Sequence, residues 1–504
     1  MSKKVITSLL TLPVELVYRI LDNLDELSIL LSIRNVCTRL NAITDTYHRY
    51  QTMSALDLKF RKIHDQTIKC LVTVLHTNKT LTTLDLAQNY ISIEGAQYLM
   101  IFLKINTILT ILHLNWNKIG TEGVQYLANA LYKNTTLKVL DLGGNCIGDE
   151  GARYLANALK NNTTLTALIL CENRITAEGA YHLANGLRDN TTLTTLELGE
   201  NQIGSKGAQY LSIALETNIT LTKLDLQWNK IDSKGAQYLA NILYNNRTFT
   251  MLHLNCNSIE NEGAQYLANA LKNNISLTTL IISRNQIGLE GTRYFANALR
   301  NNTVLKILDL AHNRIDNETT QLIANALQNN TTLTTLHLGW NQIGTEGTHS
   351  LANALETNST LTTLDLNHNH IGAKGTQYLA KALECNITLI TLDLTHNYIG
   401  NEGARYLTDA LHNNRTLTML NLAWNNIDNE AIQYFMNALQ NNASLINMDL
   451  TSNKIDVQGA HYLFNSLENN KTLTSLNLAN NQITIEDVQY LRNISKDALI
   501  RVQL

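Results

Sequence analysis

Four tryptophans, Trp116, Trp228, Trp340 and Trp424, each stand immediately before an asparagine in this chain of 504 residues. Tryptophan is over-represented among binding anchors, so four copies of one placement point to recognition chemistry. Histidines lie three residues upstream of two of them, in the pairs His113/Trp116 and His337/Trp340. A second group is acidic: Glu172, Glu197, Glu200 and Asp225 gather over a short span, with Asp141 shortly before. Such a patch steers a basic partner, although any one of these carboxylates also serves as a plain solvated group. Catalytic signatures are missing: there is no P-loop, no Gly-x-Ser-x-Gly, no His-Glu-x-x-His and no glycine-rich phosphate loop. The six cysteines show no Cys-x-x-Cys pairing or ligand-like spacing, which reads as reduced thiols. No cofactor and no metal site is expected, and the chain reads as a binding protein without enzymatic activity.

The element that positions these residues is an internal repeat. Its markers are Asn89, Asn117, Asn145, Asn173, Asn201, Asn229, Asn257, Asn285, Asn313, Asn341, Asn369, Asn397, Asn425, Asn453 and Asn481, each 28 residues from the next. In the repeat "TLKVLDLGGNCIGDEGARYLANALKNNT", Leu140 and Leu142 alternate with Val139, Asp141 and Gly143 as in a short strand. Ala152, Leu155, Ala156 and Leu159 then follow helical spacing. Asp149 occupies the expected N-cap, with Glu150 at the positive end of the helix dipole. The helix is expected to run out at "KNN", where asparagine takes the left-handed conformation that ends helices. Gly95, Gly123 and Gly151 read as turn glycines at the helix start. One repeat cannot bury its own apolar face, so neighbours must stack, and each marker asparagine brackets backbone groups at the turn.

This pattern resembles the leucine-rich repeat in its ribonuclease-inhibitor-like class. The resemblance implies an α/β horseshoe solenoid of 28-residue β-α repeats, strands lining the inner arc and helices the outer. The tryptophans would lie at the rim of the concave face, with His113, His253 and His337 or aspartates such as Asp85 and Asp141 at mid-strand. The two His/Trp pairs are eight repeats apart, so their four residues cannot form one metal site. Sequons such as Asn162-Thr163-Thr164 coincide with the junction of helix and strand, and a repeated structural turn explains them. Tyr98, Tyr126, Tyr154 and Tyr210 read as a half-buried convex stripe.

Near the start, "LTLPVELVYRIL" carries the single proline, Pro13, outside the 28-residue register. Proline suits the first turn of a helix, whereas every position of the repeat belongs to a strand, a helix or a tight turn. Leu12-Pro13-x-Glu15-Leu16, Ile20-Leu21-x-x-Leu24 and Val36-Cys37-x-Arg39 resemble the F-box, with Leu40 where that family commonly has tryptophan. The resemblance implies a small all-α module in which Leu12, Pro13, Leu16, Ile20, Leu24 and Leu30 contact a Skp-type adaptor of a cullin ubiquitin ligase. The bland alternative is a helical cap on the first repeat.

These readings divide the chain into an F-box-like module at 8–50, a degenerate capping repeat at 51–80, a fifteen-repeat solenoid at 81–491 and a capping strand at 492–504. Lys plus Arg (39) nearly balances Asp plus Glu (42), which gives no nucleic-acid footprint. No segment has the apolar length of a membrane span, and the amino-terminal apolar run is too short for a signal peptide. The expected setting is therefore cytoplasmic or nuclear. The expected function is an SCF-type substrate receptor whose concave face holds a target protein. Two alternatives stay open: a repeat scaffold without ligase coupling, similar to ribonuclease inhibitor or NLR-type proteins, and a GTPase regulator resembling Ran GTPase-activating proteins.

Overall fold

Among the described residues, the 28-residue repeats from Asn89 to Asn453 each fold as a three-residue strand, a tight turn and a helix of 11 to 14 residues, as in Val139–Asp141 followed by Gly148–Leu159. The computed structural model describes residues 13–21, 42–44, 47–467, 470–484, 487 and 501–503. They fall into two units, Met1–Asn229 and Lys230–Leu504.

In the first unit the strands from Ala55–Asp57 to Lys223–Asp225 pair in parallel, each with the strand 28 residues on, so that Leu112 opposes Leu140. The stretch read as a degenerate repeat contributes Ala55–Asp57, which joins in the same register. In the second unit the strands from Met251–His253 to Ser475–Asn477 pair likewise, and Arg501–Gln503 adds a last strand. Its register is 26 residues, Ser475 opposing Arg501.

The core forms between strand and helix. Leu137, Leu140, Leu142 and Ile147 are fully buried, as are Leu155 and Leu159 from the helical stripe. Each buried strand leucine alternates with an open-face residue, so Val139 and Asp141 stay half-buried. Sequence periodicity therefore sets which side chains the sheet offers to a partner.

Two asparagine ladders hold neighbouring repeats in register. Asn117 donates from Nδ2 to the Leu86 carbonyl of the preceding repeat (2.9 Å) and to the Leu114 carbonyl of its own (3.0 Å). Its Oδ1 accepts from the Ile91 N–H at 2.9 Å. The second ladder lies at the helix end. Asn162 donates to the Leu131 carbonyl (2.7 Å) and accepts from the N–H groups of Thr164 and Leu165 (3.0 and 2.7 Å). Its side chain is buried, so the sequon that contains it belongs to the bracket.

The structure corrects three local expectations. Asp149 does not cap its own helix, whose N-cap is Ile147. Its carboxylate reaches the next repeat and accepts from the N–H groups of Thr176 (2.7 Å) and Gly179 (2.9 Å). The asparagines of "KNN" do not adopt left-handed backbone, and Asn162 turns inward as a bracket instead. Gly95, Gly123 and Gly151 are not turn glycines, because none has positive φ. A Cβ on Gly123 would stand 2.6 Å from Cγ2 of Ile119 in its own repeat and 3.2 Å from Ala96 Cβ of the preceding helix, so there is little room for a side chain there.

At the amino terminus, Pro13 precedes the helix Val14–Leu21 and its carbonyl accepts from the N–H groups of Leu16 and Val17. Val17 and Leu21 are buried, whereas Leu16 and Ile20 are exposed. The ring of Tyr18 stacks on Tyr47 at 5.5 Å, just ahead of the helix His48–Gln51. Leu12, Leu24 and Leu30, and the Val36-Cys37-x-Arg39 segment, lie outside the described residues.

Candidate functional site

The residue before each marker asparagine is left-handed. Trp116, Trp228, Trp340 and Trp424 have φ of 57°, 52°, 55° and 58°. The same holds for Glu172, Glu200, Arg284, His312, His368 and His396. This conformation lets the strand end while its N–H still reaches the next repeat: Trp116 N donates to the Gly143 carbonyl (2.7 Å) and Trp340 N to the Asn367 carbonyl (2.8 Å). Left-handed backbone disfavours any residue with a Cβ by roughly 1–2 kcal/mol. Glycine would relieve that strain, yet it stands at this position only at Gly144 among the described residues. Apart from Cys256, Ser452 and Asn480, the other non-glycine residues at this position are tryptophan, histidine, glutamate, arginine or glutamine, which points to a use outside the fold. The four tryptophans are 47%, 52%, 50% and 59% exposed.

Within the first unit, Trp116 lies over Gly144, where a Cβ would meet the indole at 2.8 Å. Trp116 also borders a shallow groove of about 450 Å³ with Phe60, Lys62, Gln88 and Tyr90. His113 Nδ1 approaches the Asp141 carboxylate at 3.5 Å, and this hydrogen bond raises the histidine pKa against the effect of burial. Glu172 and Glu200 follow in the left-handed row; burial, then the neighbouring Glu200 charge, pushes the Glu172 carboxyl up. Glu197 is neutralised by Lys223 at 2.7 Å, and Asp225 is buried with its Oδ1 accepting from Gln227 N. The expected acidic patch therefore narrows to Glu172 and Glu200 at the rim.

Within the second unit the row becomes continuous in rings. His312 stacks on Trp340 at 5.5 Å, and Trp340 on His368 at 3.7 Å with 10° between planes. His396 follows at 4.7 Å from His368, then Trp424 at 6.4 Å from His396. Tyr398 meets His396 edge-on, and His312, Trp340, His368, His396 and Tyr398 line a groove of about 390 Å³. The sequence reading had named Trp340 and Trp424 but missed His312, His368 and His396. Reading down the one column before the marker asparagine finds all three.

The mid-strand aspartates have a local task. Asp141, Asp309, Asp365 and Asp393 each accept from the N–H two residues on, at 2.8 to 3.0 Å, which fixes the turn into the left-handed residue. Asp365 also anchors the ring row. Asn367 Nδ2 donates to Asp365 Oδ1 (2.6 Å), and Asn367 Oδ1 faces His368 Nδ1 (3.1 Å). The amide oxygen can only accept, so Nδ1 of His368 carries the proton. Burial, with the His396 charge second, lowers the His368 pKa, which keeps the stacked ring neutral at neutral pH. His337 Nδ1 meets the other oxygen of Asp365 at 3.3 Å. Among the described residues, no cluster of three or more His, Cys, Asp or Glu could hold a metal.

A family model described as "Leucine Rich repeat" matches fourteen segments, from 77–100 through 301–318 to 469–491, more than half of the chain. The chain belongs to the leucine-rich repeat family. One leucine-rich repeat, built around Asn453, escapes that match although its strand Asn447–Asp449 and helix Val457–Leu467 are formed. No curated protein matches the chain. Among solved structures it is similar to the mouse RP105/MD-1 complex, at 18% identity over 90% of this chain and 79% of that one, with a TM-score of 0.49. It is also similar to the yeast Rad7 and Elc1 complex, at 17% identity over 78% and 90% of the two chains, with a TM-score of 0.47. Leiomodin-1 actin-binding site 2 aligns at 32% identity over 28% of this chain and 84% of that one, with a TM-score of 0.27. Stacked leucine-rich repeats make this chain a scaffold for protein interaction. Among the described residues no helix is long and apolar enough to cross a membrane.

Proposed function

We propose that this leucine-rich repeat protein is the substrate-recognition subunit of an SCF-type ubiquitin ligase, without enzymatic activity of its own. The open sheet faces, with Trp116 and Trp228 along the rim of the first unit and Trp340 and Trp424 along that of the second, receive the target protein, and residues 8–50 engage a Skp-type adaptor. The observation that carries the binding part is the left-handed row: the chain tolerates backbone strain repeat after repeat to hold large side chains half out in solvent.

The adaptor part rests on the F-box-like residues. Leu16 and Ile20 stand exposed on the helix Val14–Leu21 while Val17 and Leu21 are buried, as a docking helix requires. A second reading, in which this helix only caps the repeats, draws on the stack of Tyr18 on Tyr47.

The deciding experiment is capture of a purified Skp-type adaptor by the full-length chain, alongside Leu16→Asp combined with Ile20→Asp. Both side chains are exposed, so the variant keeps its fold. Adaptor binding that the variant abolishes supports the ligase reading. If the unmodified chain captures no adaptor, the capping reading stands in its place.

A further inference from the structure

We propose that the ring row of the second unit, from His312 to Trp424, binds an extended, arginine-bearing segment of a partner protein. This rests on the reading of the open sheet face as a binding face, and it names the chemistry of what binds.

Three observations converge on it. The row presents rings to solvent over five successive repeats, with Trp340 50% and Trp424 59% exposed. The rings follow one another from repeat to repeat, not around an enclosed cage, with plane angles of 14°, 10° and 22° at His312–Trp340, Trp340–His368 and His396–Trp424 and a tilt of 54° at His368–His396. A linear row fits an extended chain better than a compact ligand. Spacing along it is uneven. The rings of Trp340 and His368 are in full contact at 3.7 Å, whereas His396 and Trp424 stand 6.4 Å apart, so their facing sides are less covered.

Charge selects the occupant. Asp365 and Asp393 sit on the open face beside these rings, and segments 333–342, 361–370, 389–398 and 417–426 contain no lysine or arginine. Asp365 and Asp393 each give one oxygen to the turn, while the other accepts from His337 Nδ1 in Asp365 and from Asn421 Nδ2 in Asp393; each carboxylate keeps a further lone pair on that second oxygen. An aromatic face next to a carboxylate suits a planar cation. Guanidinium stacks on indole and imidazole, keeps its edge N–H groups for carboxylates, and is more weakly hydrated than ammonium. A single-stranded nucleic acid would also stack on such a row, but its phosphates need basic groups where this face has carboxylates. Arg284 and Arg314 border an adjoining groove that shares His312 and Asn313 with the ring row, and they mark the end of the site. The groove at Trp116 differs: Lys62 lines it and Lys118 lies over Tyr90 at 5.3 Å, so it repels a cationic segment.

The test uses the full-length chain and four probes: the ten-residue peptides (Arg-Ser)5, (Lys-Ser)5 and (Glu-Ser)5, and a twelve-nucleotide oligothymidylate. Tryptophan fluorescence and calorimetry follow binding. The arginine peptide is expected to bind, more tightly than the lysine peptide, with affinity falling as salt rises. Trp340→Ala with Trp424→Ala weakens it at least about tenfold. Asp365→Asn with Asp393→Asn, which keeps the acceptors to the turns, weakens it similarly; Trp116→Ala does not. Restoring Trp424 as Phe recovers part of the affinity. Tighter binding of oligothymidylate or the glutamate peptide, an equal loss in Trp116→Ala, or no arginine-peptide binding overturns the inference. Adaptor capture is scored separately on the same preparations. Its success alongside a failed peptide titration overturns this inference and leaves the proposed function intact.

Discussion

The indole of Trp116 lies against Gly144 of the next repeat, so closely that a Cβ on Gly144 would stand 2.8 Å from the ring. Gly144 also has φ of +65°, which an L side chain resists. Two independent penalties therefore meet at one residue. Gly144→Ala is expected to lower stability by about 2 kcal/mol in all. In a background of Trp116→Ala the overlap vanishes and only the backbone part remains, so the second loss is smaller than the first. Urea midpoints of the four proteins check this. Equal losses in both backgrounds would mean the ring does not rest on the glycine.

The two asparagines that follow the helix Gly148–Leu159 are adjacent in sequence and opposite in role. Asn162 is buried and bonded across the repeat junction, while Asn161 is exposed. Asn162→Ala leaves the Leu131 carbonyl and two N–H groups without partners, at about 2–3 kcal/mol. Asn161→Ala is expected to stay within about 0.5 kcal/mol. Unfolding transitions measured side by side would show this asymmetry. The absence of an asymmetry would remove the case for a second ladder.

Much of this was legible in advance because a repeated residue reports a repeated environment. The 28-residue period located Asn117 as a bracket, and the alternation at Leu140 and Leu142 set the buried face of the strand. What one repeat could not reveal was a contact with the next. Asp149 looks like a cap for its own helix, yet its oxygens serve Thr176 and Gly179 one repeat later. Gly123 looks like a turn residue from its place at the helix start, while the atoms that crowd it are those of Ile119 four residues back and of Ala96 in the preceding repeat. His368 carried no signal by itself. Its role comes from Trp340 on one side and the amide of Asn367 beneath, both set by folding.

The His337–Asp365 pair predicts a pH dependence with a definite sign. Its hydrogen bond to Asp365 raises the His337 pKa above the ordinary 6.5, and the nearby carboxylates of Asp309 and Asp393 add to this against the effect of burial. A proton held more tightly in the folded state stabilises it fully below the unfolded pKa. The contribution is lost as pH rises through the folded pKa. His337→Gln should therefore melt further below the native chain at about pH 5.5 than at about pH 8.5. Proton NMR of the imidazoles gives a direct reading: His337 and His113 titrate above 6.5 and His368 below it. A deficit that does not change with pH would show that the pair contributes no charge interaction.

Cys171 and Cys146 occupy neighbouring repeats and are expected to differ in reactivity, chiefly because of burial. Burial, reinforced by the carboxylates of Asp225 and Glu197, pushes the Cys171 thiol up to about 12, whereas Cys146 is exposed. Alkylation proceeds through the thiolate, so Cys171 should react with iodoacetamide more than about tenfold slower than Cys146 near pH 8. Burial is the larger cause, so Asp225→Asn should quicken Cys171 only slightly, leaving most of the gap in place. Mass spectrometry of timed samples separates the two sites. A large acceleration in Asp225→Asn would instead assign the suppression to charge, and make the carboxylates around this strand a stronger field than their bonded neighbours imply.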